Sequence, residues 1–220
     1  MTHKITLLET VELTPDTRHY VFTRPEGYGF TPGQATDFAL DRYGWRDATR
    51  PFTFTGDPEA DVLCFTIKTY ADREGVTDAL WSATPGDGAL IGDPWGAISD
   101  KGPGVFIAGG AGITPFLGIL KARARAGQLD GATLIFANGG PRDIIFRPLW
   151  DSLKGLKTVY AVSEDGAGFA YRRITGEMLE AEIDDWDQRF YVCGPPPMEE
   201  DVVAMLTARG VPEDSIIREA

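Results

Sequence analysis

Val105-Phe106-Ile107-Ala108-Gly109-Gly110-Ala111-Gly112-Ile113-Thr114-Pro115-Phe116 decides how the second half of this chain reads. An apolar run short enough for a buried strand enters a turn almost free of side chains, and a helix-type apolar period then runs from Pro115 to Ala126. Thr114 is the expected N-cap, its hydroxyl accepting from an early helical N–H, and Pro115 suits the first helical position. Unpaired N–H groups and the helix dipole at such a start favour a phosphate or pyrophosphate. Gly110 and Gly112 are expected to let a ligand approach the backbone. Taken alone, the stretch also fits a tight strand–helix joint that binds nothing. Its third fingerprint position is Pro115 rather than glycine, and the next strand ends in Asn138-Gly139-Gly140, without the acidic residue that usually meets a ribose.

Outward from this turn, Leu134–Ala137, Thr158–Val162 and Phe190–Cys193 read as further buried strands, alternating with helical patterns such as Met198–Ala208. That alternation predicts a parallel sheet covered on both faces over residues 101–220. A second turn, Cys193-Gly194-Pro195-Pro196-Pro197-Met198, ends a strand in glycine and opens a helix whose first turn carries Glu199, Glu200 and Asp201. In open α/β sheets ligands collect at the carboxyl ends of strands, so the two turns point to one shared crevice.

Before Lys101-Gly102-Pro103-Gly104 the rhythm differs. Lys4–Leu13, Arg18–Arg24, Gln34–Leu40, Arg50–Thr55, Val62–Tyr70 and Ala89–Ile91 read as short strands, separated by Pro- and Gly-rich turns, with one short helix at Thr77–Ala83. Residues 1–100 are therefore expected to form an antiparallel barrel or sandwich. Within it, Arg50-Pro51-Phe52-Thr53 sets Arg50, Phe52 and Phe54 on one side of a strand and Pro51, Thr53 and Thr55 on the other. An arginine so placed suits either a phosphate or a packed sheet edge. Arg73-Glu74-Gly75-Val76-Thr77-Asp78 offers a second phosphate cradle, or merely a helix cap.

Composition bounds the rest. The chain has 220 residues, 43% of them apolar and 24 of them aromatic, enough to bury a core. A formal net charge of −12 disfavours nucleic acid as a partner. Cys64 and Cys193 make neither a disulfide framework nor a four-cysteine cluster, and His3 and His19 give metal or triad chemistry little material, so no metal is expected. No window approaches a membrane span and the start lacks a signal-peptide core, so no membrane insertion and a reducing, cytoplasmic setting are expected.

Taken in order, Arg50-Pro51-Phe52-Thr53, Gly75-Val76-Thr77, Gly109–Pro115 and Cys193-Gly194-Pro195-Pro196 resemble the ferredoxin–NADP reductase superfamily, and within it the small bacterial flavodoxin/ferredoxin reductase-like members. The resemblance implies two domains, an N-terminal flavin-binding antiparallel β-barrel (1–100) and a C-terminal α/β parallel-sheet NAD(P)-binding domain (101–220). It implies FAD in preference to FMN, with NADH or NADPH as reductant. By that likeness Arg50 binds a flavin phosphate, Pro51 and Phe52 pack at the flavin, and Thr53 faces its reactive edge. Gly75, Val76 and Thr77 cradle the pyrophosphate, and Gly110, Gly112 and Thr114 receive the dinucleotide. Cys193 and Gly194 flank the nicotinamide, with Glu219 nearby. Thr53, Cys193 and Glu219 are thus the expected catalytic residues. NADPH-using relatives often carry arginines at positions held here by Gly139 and Glu164, which favours NADH, although Arg142, Arg172 and Arg173 lie close in sequence. The implied activity is a flavin-dependent NAD(P)H oxidoreductase passing electrons to a separate ferredoxin- or flavodoxin-type protein. The alternatives are a reductase of a small acceptor (ferric chelate, quinone, free flavin) and a non-catalytic electron-transfer subunit. An acidic protein acceptor calls for a basic patch, and Lys121, Arg123 and Arg125 supply one only if they face outward.

Overall fold

The computed structural model describes residues 2–70, 75–96 and 98–219, so Arg73 and Glu74 of the second cradle lie outside it. The first part runs through β1 (His3–Thr14), β2 (Thr17–Thr23), β3 (Gln34–Leu40), β4 (Arg50–Thr53), β5 (Val62–Lys68), α1 (Val76–Trp81), β6 (Gly88–Ile91) and β7 (Trp95–Gly96). Among the described residues these strands form one antiparallel sheet in the order β4-β3-β6-β1-β2-β5, with β7 also on β3. The ends of the sheet meet. Past β4, Phe54 bridges Phe65 of β5, and the Thr55 N–H donates to the Cys64 carbonyl at 2.9 Å.

This closure alters the expected alternation. β4 stops at Thr53, and Phe54 and Thr55 are both fully buried, because here the chain crosses from β3 to β5 and both of its sides are covered. Inside, Phe38 meets Phe22 and Phe65 edge-on at 5.6 and 5.5 Å, and Phe54 lies 5.1 Å from Phe65. Such aromatic clusters supply large buried area with defined geometry. The short helix begins at Val76, one residue before the expected start, because Gly75 in extended conformation serves as its N-cap.

The second part runs through β8 (Gly104–Gly109), α2 (Thr114–Arg125), β9 (Ala132–Asn138), α3 (Arg147–Ser152), β10 (Leu156–Val162), α4 (Gly176–Glu182), β11 (Arg189–Cys193), α5 (Pro196–Ala208) and β12 (Ile216–Arg218). The strands are parallel, in the order β10-β9-β8-β11-β12. Chain order therefore reverses direction between β8 and β11. Side chains alternate across the sheet: Phe106 packs with Phe116, Phe136 and Trp150 on one face, while Val105 and Ile107 pack with Val202 and Leu206 on the other.

The two parts meet along α2. Gly118 lies against the Phe54 carbonyl and Pro32 at 3.5 Å, measured from where its Cβ would stand. At Gly33 (φ +91°) any side chain would overlap the Ile98 carbonyl. Arg123 is 6% exposed and grips Asp100 through two nitrogens at 2.7 and 2.9 Å. Arg125 pairs with Asp57 of the barrel. The charge of Lys121 is felt at His19 and Cys64. The conditional basic patch thus loses Arg123, which is buried, and Arg125 stands at the surface as half of an ion pair. His19 of β2 lies edge-on to the Phe146 ring at 5.6 Å and shares a hydrogen bond with Thr66 at 3.0 Å. Among the described residues no helix is long and apolar enough to cross a membrane.

Two stability predictions follow from the seam. Arg123→Ala removes both bonds to Asp100 and leaves a gap beneath α2, so urea unfolding should show a loss of about 2–3 kcal/mol. Burial and the Lys121 charge lower the His19 pKa from 6.5 to about 4, so the unfolded chain takes up this proton first as pH falls. Stability should therefore decline as pH drops from 6.5 towards 4, by up to about 3 kcal/mol. In His19→Asn that component of the pH dependence should vanish from melting curves taken across the range.

Candidate functional site

The site is built from backbone turns at the carboxyl edge of the parallel sheet. After β8 the chain makes one 3-10 turn, Gly110–Ile113, before α2. Thr114 is therefore inside the helix and Ile113 holds the N-cap position. The Thr114 hydroxyl donates to the Ala111 carbonyl at 3.0 Å, so it ties down the preceding turn rather than accepting from a helical N–H. That corrects the expected cap: the inserted turn satisfies the helix start from the main chain and leaves the hydroxyl a donor's role.

The glycines divide into two kinds. Gly110 has φ +51°, and no atom lies within 4 Å of where its Cβ would stand, so it faces open space. Gly112 is different. A Cβ there would overlap the Cys193 carbonyl, and one at Gly109 would overlap Met198. Gly112 thus serves the close approach of the β8 turn to the β11 turn, not of a ligand to the backbone. Gly194 completes the contact, lying against the Gly109 nitrogen and Met198.

Glu199, in the first turn of α5, accepts from the Gly194 N–H at 2.7 Å and so fixes the Cys193–Gly194 turn. Cys193 is 7% exposed, and its thiol is pushed well up by burial and then by the charges of Glu219 and Glu199. It is a protonated thiol at neutral pH, a small polar wall rather than a nucleophile. β12 pairs with β11 through Val192↔Arg218, which brings Glu219 beside Cys193. The Glu219 carboxyl is raised by desolvation and by Glu199, although the residue as a whole is exposed.

A cavity of about 440 Å³ opens at the ends of β8, β9 and β10. Gly110, Asn138, Asp143, Arg173 and Met198 line it, and Lys68 reaches it from the barrel. Sequence reasoning found no acid at the end of β9, yet the fold supplies one. Asp143 lies in the 3-10 turn Pro141–Asp143 and accepts from the Gly140 N–H at 2.7 Å. Glu164 is beside it, close enough that a Cβ on Gly140 would collide with its carboxylate. The cue was the Gly-Gly-Pro-Arg-Asp run, a reciprocal cap with an acid three residues past the glycine. Arg172 is committed to Asp165 at 2.7 Å and to the Ser163 carbonyl at 2.9 Å, whereas Arg173 has no ion-pair partner among the described residues.

On the barrel, Thr53 pairs with Ala35, which also pairs with Trp95, so β4 and β7 flank β3 at this end. Arg50 is exposed, and its guanidinium donates only to the Thr49 carbonyl at 2.8 Å, leaving its charge unpaired among the described residues. Pro51 is exposed, and Phe52 lies 5.3 Å from Phe38. α1 packs on β3, the strand that also carries β4, and no side chain caps its first N–H groups, those of Val76 and Thr77. The unpaired cation and the uncapped helix start suit an anionic ligand on this face. The open Gly110 turn and the cavity suit a nucleotide. Among the described residues no group of three His, Cys, Asp or Glu side chains is placed to hold a metal ion.

Comparison with known proteins agrees with this geometry. The family model for the oxidoreductase NAD-binding domain matches residues 106–204. The reductase component of propane 2-monooxygenase from Rhodococcus jostii is 27% identical over 208 residues, which cover 87% of this chain and 55% of that protein. NADH-cytochrome b5 reductase 1 from Aspergillus oryzae is 29% identical, over 87% of this chain and 73% of its own length. The chain thus spans little more than half of the Rhodococcus relative. A ferredoxin NADP+ reductase from Neisseria gonorrhoeae, crystallised with FAD and NADP, superposes with a TM-score of 0.83 at 22% identity over 99% of this chain and 98% of that one. With its antiparallel barrel, its parallel sheet and two glycine turns meeting at the reversal of strand order, the chain has the two-domain fold of that ferredoxin NADP+ reductase, and its second part matches the oxidoreductase NAD-binding domain.

Proposed function

We propose that the chain is an NAD(P)H-dependent flavoprotein reductase that takes hydride from a reduced nicotinamide onto bound FAD and passes electrons to a separate acceptor. Residues 1–100 form its flavin-binding unit and residues 101–220 its nucleotide-binding unit. The observation that carries this reading is the cavity beside the open Gly110 turn, at the carboxyl ends of the parallel strands and lined from both units. Relatives named as reductase components or cytochrome b5 reductases support it.

Arg50 and the first N–H groups of α1 hold the flavin phosphates, with Pro51 and Phe52 forming the barrel wall and Thr53 presenting a hydroxyl at the seam. Gly110 and the start of α2 hold the dinucleotide phosphates. Cys193, Gly194 and Glu219 wall the nicotinamide end, and Glu199 keeps that turn in place. The flavin, when bound, supplies the hydride-accepting ring; the protein contributes alignment, which replaces a bimolecular encounter by a held geometry. The Cys193 thiol keeps its proton throughout, and the Glu219 carboxyl, its pKa raised by desolvation and by Glu199, stands at the edge of the site. Two buried free cysteines fit a reducing, cytoplasmic setting.

NADH is the reductant. Asp143 and Glu164 set two carboxylates where an adenosine ribose would carry a 2′-phosphate, and like charges there cost several kcal/mol against about one uncommitted arginine. The burial of Arg123 and the pairing of Arg125 also favour a second reading, in which the acceptor is a small molecule rather than an acidic protein.

Purified protein should be yellow, and its absorption should bleach on anaerobic addition of NADH. Colour without bleaching would indicate a carrier subunit, and no colour after adding FAD would overturn the assignment. The bleached protein should then reduce ferredoxin, flavodoxin or ferric citrate at rates that rank the two acceptor classes. Arg50→Ala should weaken FAD binding by about 10- to 100-fold, since a charge-assisted phosphate contact is worth about 1.5–3 kcal/mol. Unchanged retention on dialysis would remove Arg50 as the anchor. Stopped-flow reduction should favour NADH over NADPH in kcat/KM by about tenfold or more, and equal values would discard the two-carboxylate argument.

A further inference from the structure

Asn138 ends β9 at the wall of the cavity and is 8% exposed. Its backbone carbonyl is fully used, accepting from the Ser163 N–H at 3.1 Å and from the Ser163 hydroxyl at 3.3 Å. Its side chain is not used at all: neither the amide nitrogen nor the amide oxygen has a hydrogen-bond partner among the described residues. A buried amide left in this state is costly, and folds retain few of them. Two other buried side-chain atoms share the condition, the hydroxyls of Thr10 and Thr158, but neither residue lines the cavity. Among the described residues only Asn138 combines an unsatisfied donor and acceptor with a ligand-sized space.

The order of strands says which part of a dinucleotide would come here. Cys193 and Glu219 lie on the β11–β12 side, the open Gly110 turn follows β8, and Asn138 lies beyond it on β9. A dinucleotide with its nicotinamide at Cys193 and its phosphates at Gly110 places its adenosine at β9 and β10. A phosphate only accepts, and would answer half of the amide. The N7 edge of an adenine offers a ring nitrogen as acceptor beside an exocyclic amine as donor, the mirror of a primary amide, whereas the same edge of inosine offers two acceptors. The ribose hydroxyls fall to Asp143 and Glu164. Arg173 and Met198, the long side chains of the same wall, have the rotamer freedom to let the base in.

We propose that Asn138 is a specificity-determining residue that reads the adenine base of the dinucleotide through both atoms of its amide. This rests on the dinucleotide reading above. The test compares AMP with inosine monophosphate, which carries a carbonyl in place of the exocyclic amine, by calorimetric titration of the flavin-loaded protein. The wild type should bind AMP about tenfold or more tightly than inosine monophosphate. Asn138→Leu should bring that ratio to about one and weaken AMP, while the free protein melts no lower than wild type because an unsatisfied buried amide has gone. Asn138→Ala should show the same collapse of the ratio, so the result does not depend on Leu fitting the site. Equal binding of the two nucleotides by the wild type, or an unchanged ratio in both variants, would overturn the assignment while leaving NADH reduction, and hence the function, intact. Absence of both AMP binding and reduction by NADH would instead remove the dinucleotide reading, and the role of Asn138 with it.

Discussion

Everything in the second domain is referred to one contact of backbone on backbone. Gly112 lies against the Cys193 carbonyl, and Gly109 lies against Gly194 and Met198, so the turns after β8 and β11 touch without intervening side chains. These strands are neighbours in register, Ala108 opposite Cys193, and they stand where the strand order reverses. Chains leaving such neighbours depart to opposite faces of the sheet, which opens a crevice between them. A methyl group at Gly112 would push the two turns apart and misplace both walls of that crevice. Peptide groups brought so close need their hydrogen bonds accounted for, and the Glu199 carboxylate answers the Gly194 N–H. The acid is therefore part of the contact, and its charge is then felt by Cys193 and Glu219.

Charge is used unevenly across the molecule. A chain at −12 has few cations to spare, yet two of those on α2 are committed to fixed pairs, Arg123 to Asp100 and Arg125 to Asp57. Exposed pairs contribute little, but Arg123 is buried, with its third guanidinium nitrogen donating to the Gln128 carbonyl, and its removal leaves polar groups without partners. The charge of Arg123 is thereby withdrawn from the surface, and that of Arg125 is offset there by Asp57. Arg50 on the barrel and Arg173 at the cavity keep their charges without an ion-pair partner among the described residues.

Much of this was legible in the sequence because it depends on period and punctuation. The switch from alternating short strands to strand–helix repeats near Gly102-Pro103-Gly104, and the glycine turns after Ala108 and Cys193, follow from local chemistry that no tertiary contact reverses. Three readings failed for one shared reason, since each required knowing what lies across a gap. Thr114 looks like a cap until the extra 3-10 turn before it is seen. Gly112 looks like ligand space until the Cys193 carbonyl is found there. Arg123 looks solvated until Asp100, 23 residues earlier, is found beneath it. The acids at the end of β9 were hidden similarly, because Asp143 and Glu164 are adjacent only through the pairing of β9 with β10.

The distribution of satisfied and unsatisfied polar groups separates the rigid part of the molecule from the adaptable part. Along the seam His19, Thr66 and Thr55 form a continuous chain, with links of 3.0 and 3.1 Å, beside the paired arginines. A network with every member bonded resists local opening. Across the sheet the Gly110 turn faces empty space, Arg173 has no ion-pair partner among the described residues, and the Asn138 amide is unbonded. In the proposed function, hydride transfer between two bound rings demands a fixed relation between the domains that hold them. Exchange of one nucleotide for the next at every turnover demands the opposite at the surface it leaves. The fold meets both demands by placing its bonded polar chain between the domains and its unbonded groups at the cavity.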